Sequence, residues 1–201
     1  MTAERFVSPD HIRSLFAQAM SHMYRTEVPL YGDLVELVAA INAKVLAQQP
    51  ELAASLARTD DLERIDLERH GAIRVGTPQE LAMLRRVFAV MGMFPVGYYD
   101  LAVAGVPVHS TAFRPLDSAS LSRNPFRVFC SLLRLELVEN AELRQQAADI
   151  LAKRNSFTDK AVALVAKAEA DGGLDAADAQ AFVAEALETF RWHSDATVSL
   201  D

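Results

Sequence analysis

A single cysteine, Cys130, stands in the whole chain, so no intramolecular disulfide can form and a disulfide-stapled secreted scaffold is excluded. No stretch approaches the ~20 apolar residues of a membrane helix. The charged start MTAERFVSPDHIR also lacks the apolar centre of a secretory signal. Positive charge is in deficit: 20 Lys and Arg against 27 Asp and Glu leave a net charge of −7, and no segment concentrates cations as a nucleic-acid footprint does. Neither nucleic acid nor membrane is expected as a partner, and a reducing cytoplasm is the expected setting. HxxxH, HExxH, CxxC and glycine-rich phosphate loops are missing, as are repeats and low-complexity tracts. What is present is ample core material. Of 201 residues 51% are hydrophobic, and near this length about 70% of the unfolded surface can be buried.

Local signals divide the chain in three. Residues 1–60 are expected to be helical. Ser8 and Pro9 have the order of an N-cap and first helical residue, with Ile12, Leu15, Phe16, Ala19, Met20 and Met23 at helical spacing. Asp33 with Glu36 announces a second helix, whose stripe is Leu34, Leu37, Val38, Ile41 and Val45. Residues 61–138 change pattern. Ile65, Leu67, Ile73 and Val75 alternate with Asp66, Glu68, His70, Ala72 and Arg74, as in a strand with one apolar and one charged face. Gly71 weakens that strand but permits close approach by another group. Thr77, Pro78 and Glu80 then write a capping box for a helix ending near Gly92. Strands are expected at Tyr98–Ala104 and Val108–Phe113. The run Phe126–Val138 fits a buried helix or a strand; Asn124-Pro125 favours a helix start, whereas the separate N-cap at Asn140 favours a long strand. The strand option completes a β-α-β-β-β unit. Residues 139–201 return to helix, with Asp171-Gly172-Gly173 as a turn, Asp175 as a cap, and ATVSLD opening a strand without a partner.

Five histidines are candidates for chemistry. His11 and His22 lie on the first helix, where solvation or the packing edge is expected. His109, beside Ser110 and Thr111, is expected to make ordinary hydrogen bonds, and His193 after Trp192 suits a helix C-terminus. His70 differs in sharing a strand face with Arg74, about 13 Å along the chain. A metal-binding imidazole and a forked guanidinium so spaced could bracket an extended dicarboxylate. By pattern alone, a face carrying Asp66, Glu68, His70 and Arg74 reads as wetted.

Longer strings add to the pattern. LERHGAIRVGTP (67–78), VPVHSTAFRP (106–115), NPFRVFCSLLRLEL (124–137) and ETFRWHSDATVSLD (188–201) together resemble the 2-oxoadipate dioxygenase/decarboxylase family, or 2-hydroxyglutarate synthases, across the chain. The resemblance implies an α+β fold: one β-α-β-β-β vicinal-oxygen-chelate-like module flanked by N- and C-terminal helices. It implies non-haem Fe(II) chemistry in which 2-oxoadipate and O2 become 2-hydroxyglutarate and CO2, a step of lysine degradation. His70 corresponds to an iron ligand and Arg74 to the substrate-carboxylate arginine of that family. A facial set of two histidines and one carboxylate leaves open positions for a bidentate 2-oxo acid and oxygen.

Members of that family are much longer, and their remaining iron ligands lie beyond the equivalent of Asp201. The chain is therefore expected to be an N-terminal portion, inactive alone and completed by the C-terminal half of the same enzyme. The rival expectation is a non-catalytic helical binding module retaining an ancestral strand unit, because amphipathic stripes also serve partner proteins. An isomerase or glyoxalase-like reaction on the same scaffold is a third.

Overall fold

In the computed structural model, residues 5–58, 62, 65 and 70–191 are described. Helix α1 (Pro9–Glu27) begins as its caps require, with the Ser8 side chain accepting from the His11 amide. Helix α2 (Pro29–Gln48) starts earlier than expected. Pro29 takes the first helical position, which places Asp33 and Glu36 inside the helix rather than at a cap. Helix α3 (Pro50–Arg58) follows.

The sheet comprises β1 (His70–Val75), β2 (Phe94–Asp100), β3 (Val108–Arg114) and β4 (Arg127–Leu133). Helix α4 (Pro78–Val90) joins β1 to β2, so the expected β-α-β-β-β order is present, with a short α5 (Ser118–Arg123) between β3 and β4. The spatial order is β1-β4-β3-β2; β1 runs parallel to β4 and the other pairs are antiparallel. Thr77 and Glu80 form the expected capping box, and Gly92 follows α4 with φ +66°, a left-handed stop that favours glycine.

Strand limits depart from the sequence expectation for identifiable reasons. The first strand begins at His70, with Ile65 in a turn; Asp66, Leu67 and Glu68 lie outside the described residues. The second spans Phe94–Asp100, not Tyr98–Ala104. Phe94 and Pro95 pair with Arg114 and Phe113, and the Asp100 side chain accepts from the Ala102 amide to turn the chain into a 3-10 helix, Ala102–Ala104. The run Phe126–Val138 is a strand only to Leu133, because its partner β3 begins opposite that residue; a 3-10 helix, Leu135–Leu137, follows.

Helices α6 (Ala141–Leu151), α7 (Asp159–Asp171) and α8 (Ala176–Glu188) complete the described chain. Asn140 and Asp175 cap as expected, and Gly172 closes α7 in a left-handed conformation. The ATVSLD ending, Trp192 and His193 lie outside the described residues. Among the described residues, no helix is long and apolar enough to cross a membrane.

One core lies between the sheet and four helices. Phe16 and Met20 of α1, Leu84 and Phe88 of α4, Val165 of α7 and Phe182 of α8 are buried with Val75, Phe113, Val128 and Cys130 of the sheet. Phe88 packs on Phe113 with ring centroids 4.8 Å apart, and Phe16 meets Phe126 edge-on at 6.0 Å. At about 1.5–3 kcal/mol for each large apolar side chain, this layer dominates the folding free energy.

Two polar residues are sealed into the same assembly. Arg13, fully buried, donates to the carbonyls of Met91 (3.0 Å), Ser120 (2.9 Å) and Asn124 (3.1 Å) and pairs with Asp10 at 2.8 Å, fastening α1 to α5 and the end of α4. Glu80 accepts from the Gly76 amide (2.7 Å), Ser156 (2.6 Å) and both arms of Arg154 (2.8 and 2.5 Å). Burial alone would raise its carboxyl. The hydrogen bonds from Arg154, Ser156 and Gly76 outweigh burial and hold it below the ordinary carboxylate range. The turn after β1 is thereby tied to the α6–α7 connection.

Candidate active site on the open face of the sheet

Strand alternation sends successive side chains of β1 in opposite directions. Gly71, Ile73 and Val75 turn to the helices, and His70, Ala72 and Arg74 are exposed on the other face. Gly71 allows the close approach anticipated for it: a Cβ there would stand 3.2 Å from Met20 Cε and 3.4 Å from Val128 Cγ2. His70 and Arg74 therefore share the uncovered face, the arrangement their spacing predicts.

Parallel register sets β4 beside them, with Arg127 opposite His70, Phe129 opposite Ala72 and Ser131 opposite Arg74. On β3, Ala112 and Ser110 continue the rows from Phe129 and Ser131, and the two serine hydroxyls are 2.9 Å apart. Tyr99 of β2 lays its ring against Phe129, centroids 5.5 Å apart. The face thus carries an aromatic and small-residue middle with cationic ends.

Two hollows meet along it. One, of about 440 Å³, is lined by Tyr24, His70, Ala72, Ala112, Arg127 and Phe129. The other, of about 600 Å³, takes in Arg74, Ser131, Thr189 and Phe190 and shares Ala72 and Phe129 with the first. Among the described residues, neither is lined by an Asp or Glu. A third cleft beside Arg74 contains Glu188, which is paired with Arg191 at 2.9 Å. Among the described residues the trough therefore carries cationic groups on a chain whose net charge is −7. The side chains of His70, Arg74 and Arg127 make no hydrogen bond or ion pair with a described residue.

The other histidines are elsewhere. His11 and His22 are exposed on α1. His109 makes the ordinary hydrogen bonds expected of it: the Arg134 guanidinium donates to Nδ1, the Tyr98 hydroxyl sits against the same nitrogen, and Nε2 lies 3.1 Å from Asp100 Oδ1. Register aligns His109 with Leu132 and Val75, at the opposite end and on the opposite side of the sheet from His70. Among the described residues, no three His, Cys, Asp or Glu side chains come together as a metal cluster. Cys130 is buried among apolar groups, which pushes its thiol up to about 12 and leaves it protonated and inert.

Comparison with known proteins places the chain in a family. The family model described as 2-oxoadipate dioxygenase/decarboxylase matches residues 16–201. This chain belongs to the 2-oxoadipate dioxygenase/decarboxylase family. The Pseudomonas putida protein of that name is 64% identical over the whole chain, and the Escherichia coli one is 62% identical over 96% of it. The crystal structure of the hydroxyglutarate synthase from Pseudomonas putida superposes with a TM-score of 0.95 over 98% of this chain and 46% of its own. The same enzyme in complex with 2-oxoadipate gives 0.95 over 98% and 44%. The chain spans 43% of the length of these curated members of the dioxygenase/decarboxylase family.

Sequence reasoning passed over Arg127, Phe129 and Tyr99 as parts of this face. The signal for Arg127 and Phe129 is an alternation across β4 in which these two are exposed while Val128 and Cys130 are buried. That alternation was legible, but its pairing with β1 was not.

Proposed function

We propose that this chain is the part of a non-haem Fe(II)-dependent dioxygenase/decarboxylase that supplies one metal ligand, His70, and one substrate-carboxylate contact, Arg74. The reaction is 2-oxoadipate plus O2 to 2-hydroxyglutarate plus CO2, balanced in carbon, hydrogen and oxygen and belonging to lysine degradation in the cytoplasm. The observation that carries the reading is that a family bearing this activity in its name aligns with the chain through the strand whose open face bears both residues.

The donor set fits iron in part. His70 offers an imidazole uncommitted to any described residue, and imidazole suits iron. The two further ligands of a facial triad must come from the remaining length of the enzyme. When bound, iron would supply Lewis acidity and oxygen activation. The chain's own residues hold the acid: the Arg74 fork matches a carboxylate with two parallel hydrogen bonds, while Ala72, Ala112 and Phe129 give the methylene chain an apolar floor.

The test uses the complete gene product, reconstituted with Fe(II), with oxygen uptake and 2-hydroxyglutarate measured on adding 2-oxoadipate. Uptake matched by product supports the assignment, and no uptake with any 2-oxo acid overturns it. His70→Ala is expected to lose most bound iron. Arg74→Ala is expected to keep iron and raise KM. The rival reading, a non-catalytic helical module, draws on the bare apolar side of α2, where Leu30, Leu34, Leu37, Val38 and Ile41 are all exposed. The same oxygen measurement separates the two.

A further inference from the structure

We propose that Arg127 is a second substrate-carboxylate contact, gripping the carboxylate next to the 2-oxo group while Arg74 grips the distal one. The inference rests on the functional reading above and deepens it.

The argument begins from register. Arg127 is the direct partner of His70 across the β1–β4 pair, and Arg74 is the partner of Ser131. Neighbouring strands are about 4.8 Å apart, so Arg127 borders whatever the His70 ring holds. Arg74 lies four residues further along and one strand over, about 14 Å from Arg127 between Cα atoms. A six-carbon dicarboxylate separates its carboxyl carbons by about 6 Å when extended. Two guanidinium heads, each leaning inward to hydrogen bonds of about 2.8 Å, close the remaining gap.

What lies between the two arginines agrees. Ala72 and Phe129 occupy the intervening rows and line both hollows, an apolar span for the methylenes. Among the described residues, the Arg127 side chain has no hydrogen-bond or ion-pair partner and no carboxylate lines the hollow it shares with His70. By contrast Arg13, Arg86, Arg123, Arg134 and Arg154 are all committed to acidic partners. A charge placed on a central strand and left without a partner among the described residues is available to an anion.

Equilibrium binding tests this without turnover. The complete gene product, loaded with Fe(II) under anaerobic conditions, is titrated with 2-oxoadipate and with 2-oxohexanoate, which lacks the distal carboxylate. Arg127→Ala is expected to weaken both acids alike, by about 10-fold or more, with iron content unchanged. Arg74→Ala should weaken 2-oxoadipate alone. Arg127→Gln, which keeps length and polarity, should behave as Arg127→Ala does if charge is what matters, and melting curves for all variants check that the fold survives. Binding of both acids within twofold of wild type in Arg127→Ala overturns the assignment, as does a loss confined to 2-oxoadipate, which would place Arg127 at the distal end. Failure of the wild-type protein to bind either acid overturns the functional reading itself, and this assignment with it.

Discussion

The two faces of the sheet obey different rules. Toward the helices, Val75, Val128, Cys130 and Phe113 disappear into a continuous apolar core, and their identity is a matter of volume and fit. On the other face His70, Arg74, Arg127 and Phe129 stand exposed, presenting charge and aromatic surface to solvent. The first two helices repeat the contrast. In α1 Ile12, Phe16, Met20 and Met23 are buried, yet α2, the more apolar sequence, buries none of its residues. Periodicity tells which side of an element favours cover. A partner in space decides whether it is covered.

The largest expected effect is on the sealed side. Phe88→Ala, which removes the ring packed on Phe113 and Phe190, should cost about 3–5 kcal/mol in urea unfolding; a loss below about 1 kcal/mol would break the contrast between the faces. Next comes Glu80→Gln, expected to cost about 2 kcal/mol at pH 7, because Arg154, Ser156 and the Gly76 amide lose their charged acceptor. The Glu80 carboxyl titrates lower in the folded protein than in the unfolded one, where it lies at about 4.3. Its contribution is therefore complete above about pH 5 and is lost as pH falls through the folded value. The gap between wild type and Glu80→Gln should close on acidification, and a gap that widens would contradict the network. On the open face, Arg74→Ala in the complete gene product should raise KM about 10- to 100-fold, with the melting temperature unchanged. A large fall in Tm would place Arg74 on the structural side of the comparison. Smallest of all, Leu37→Glu on the bare stripe of α2 should alter stability in urea unfolding by no more than about 0.5 kcal/mol.

Part of this was legible without coordinates. Ser8, Thr77 with Glu80, Asn140 and Asp175 are N-caps whose signal lies within a few residues of the amide they satisfy, and period-two alternation placed His70 and Arg74 on one face. Other features had no local signal. Arg13 reads as a surface cation on α1, yet it is buried because three carbonyls from distant segments converge on it. The ends of β2 and β4 depend on where β3 begins and ends, and the start of α2 shows Pro29 prevailing over a plausible cap at Asp33.

By itself the sequence determined the N-caps of α1, α4, α6 and α8, the two-sided character of β1 and the family strings, since each depends on residues a few positions apart and on backbone preferences that act locally. Only the tertiary structure decided that Arg127 lies beside His70, that α1 is covered while α2 is bare, and that the cationic trough has an apolar floor. Those are outcomes of strand register and helix docking, in which segments far apart along the chain are matched by the apolar area they can bury together, and no single segment carries that sum.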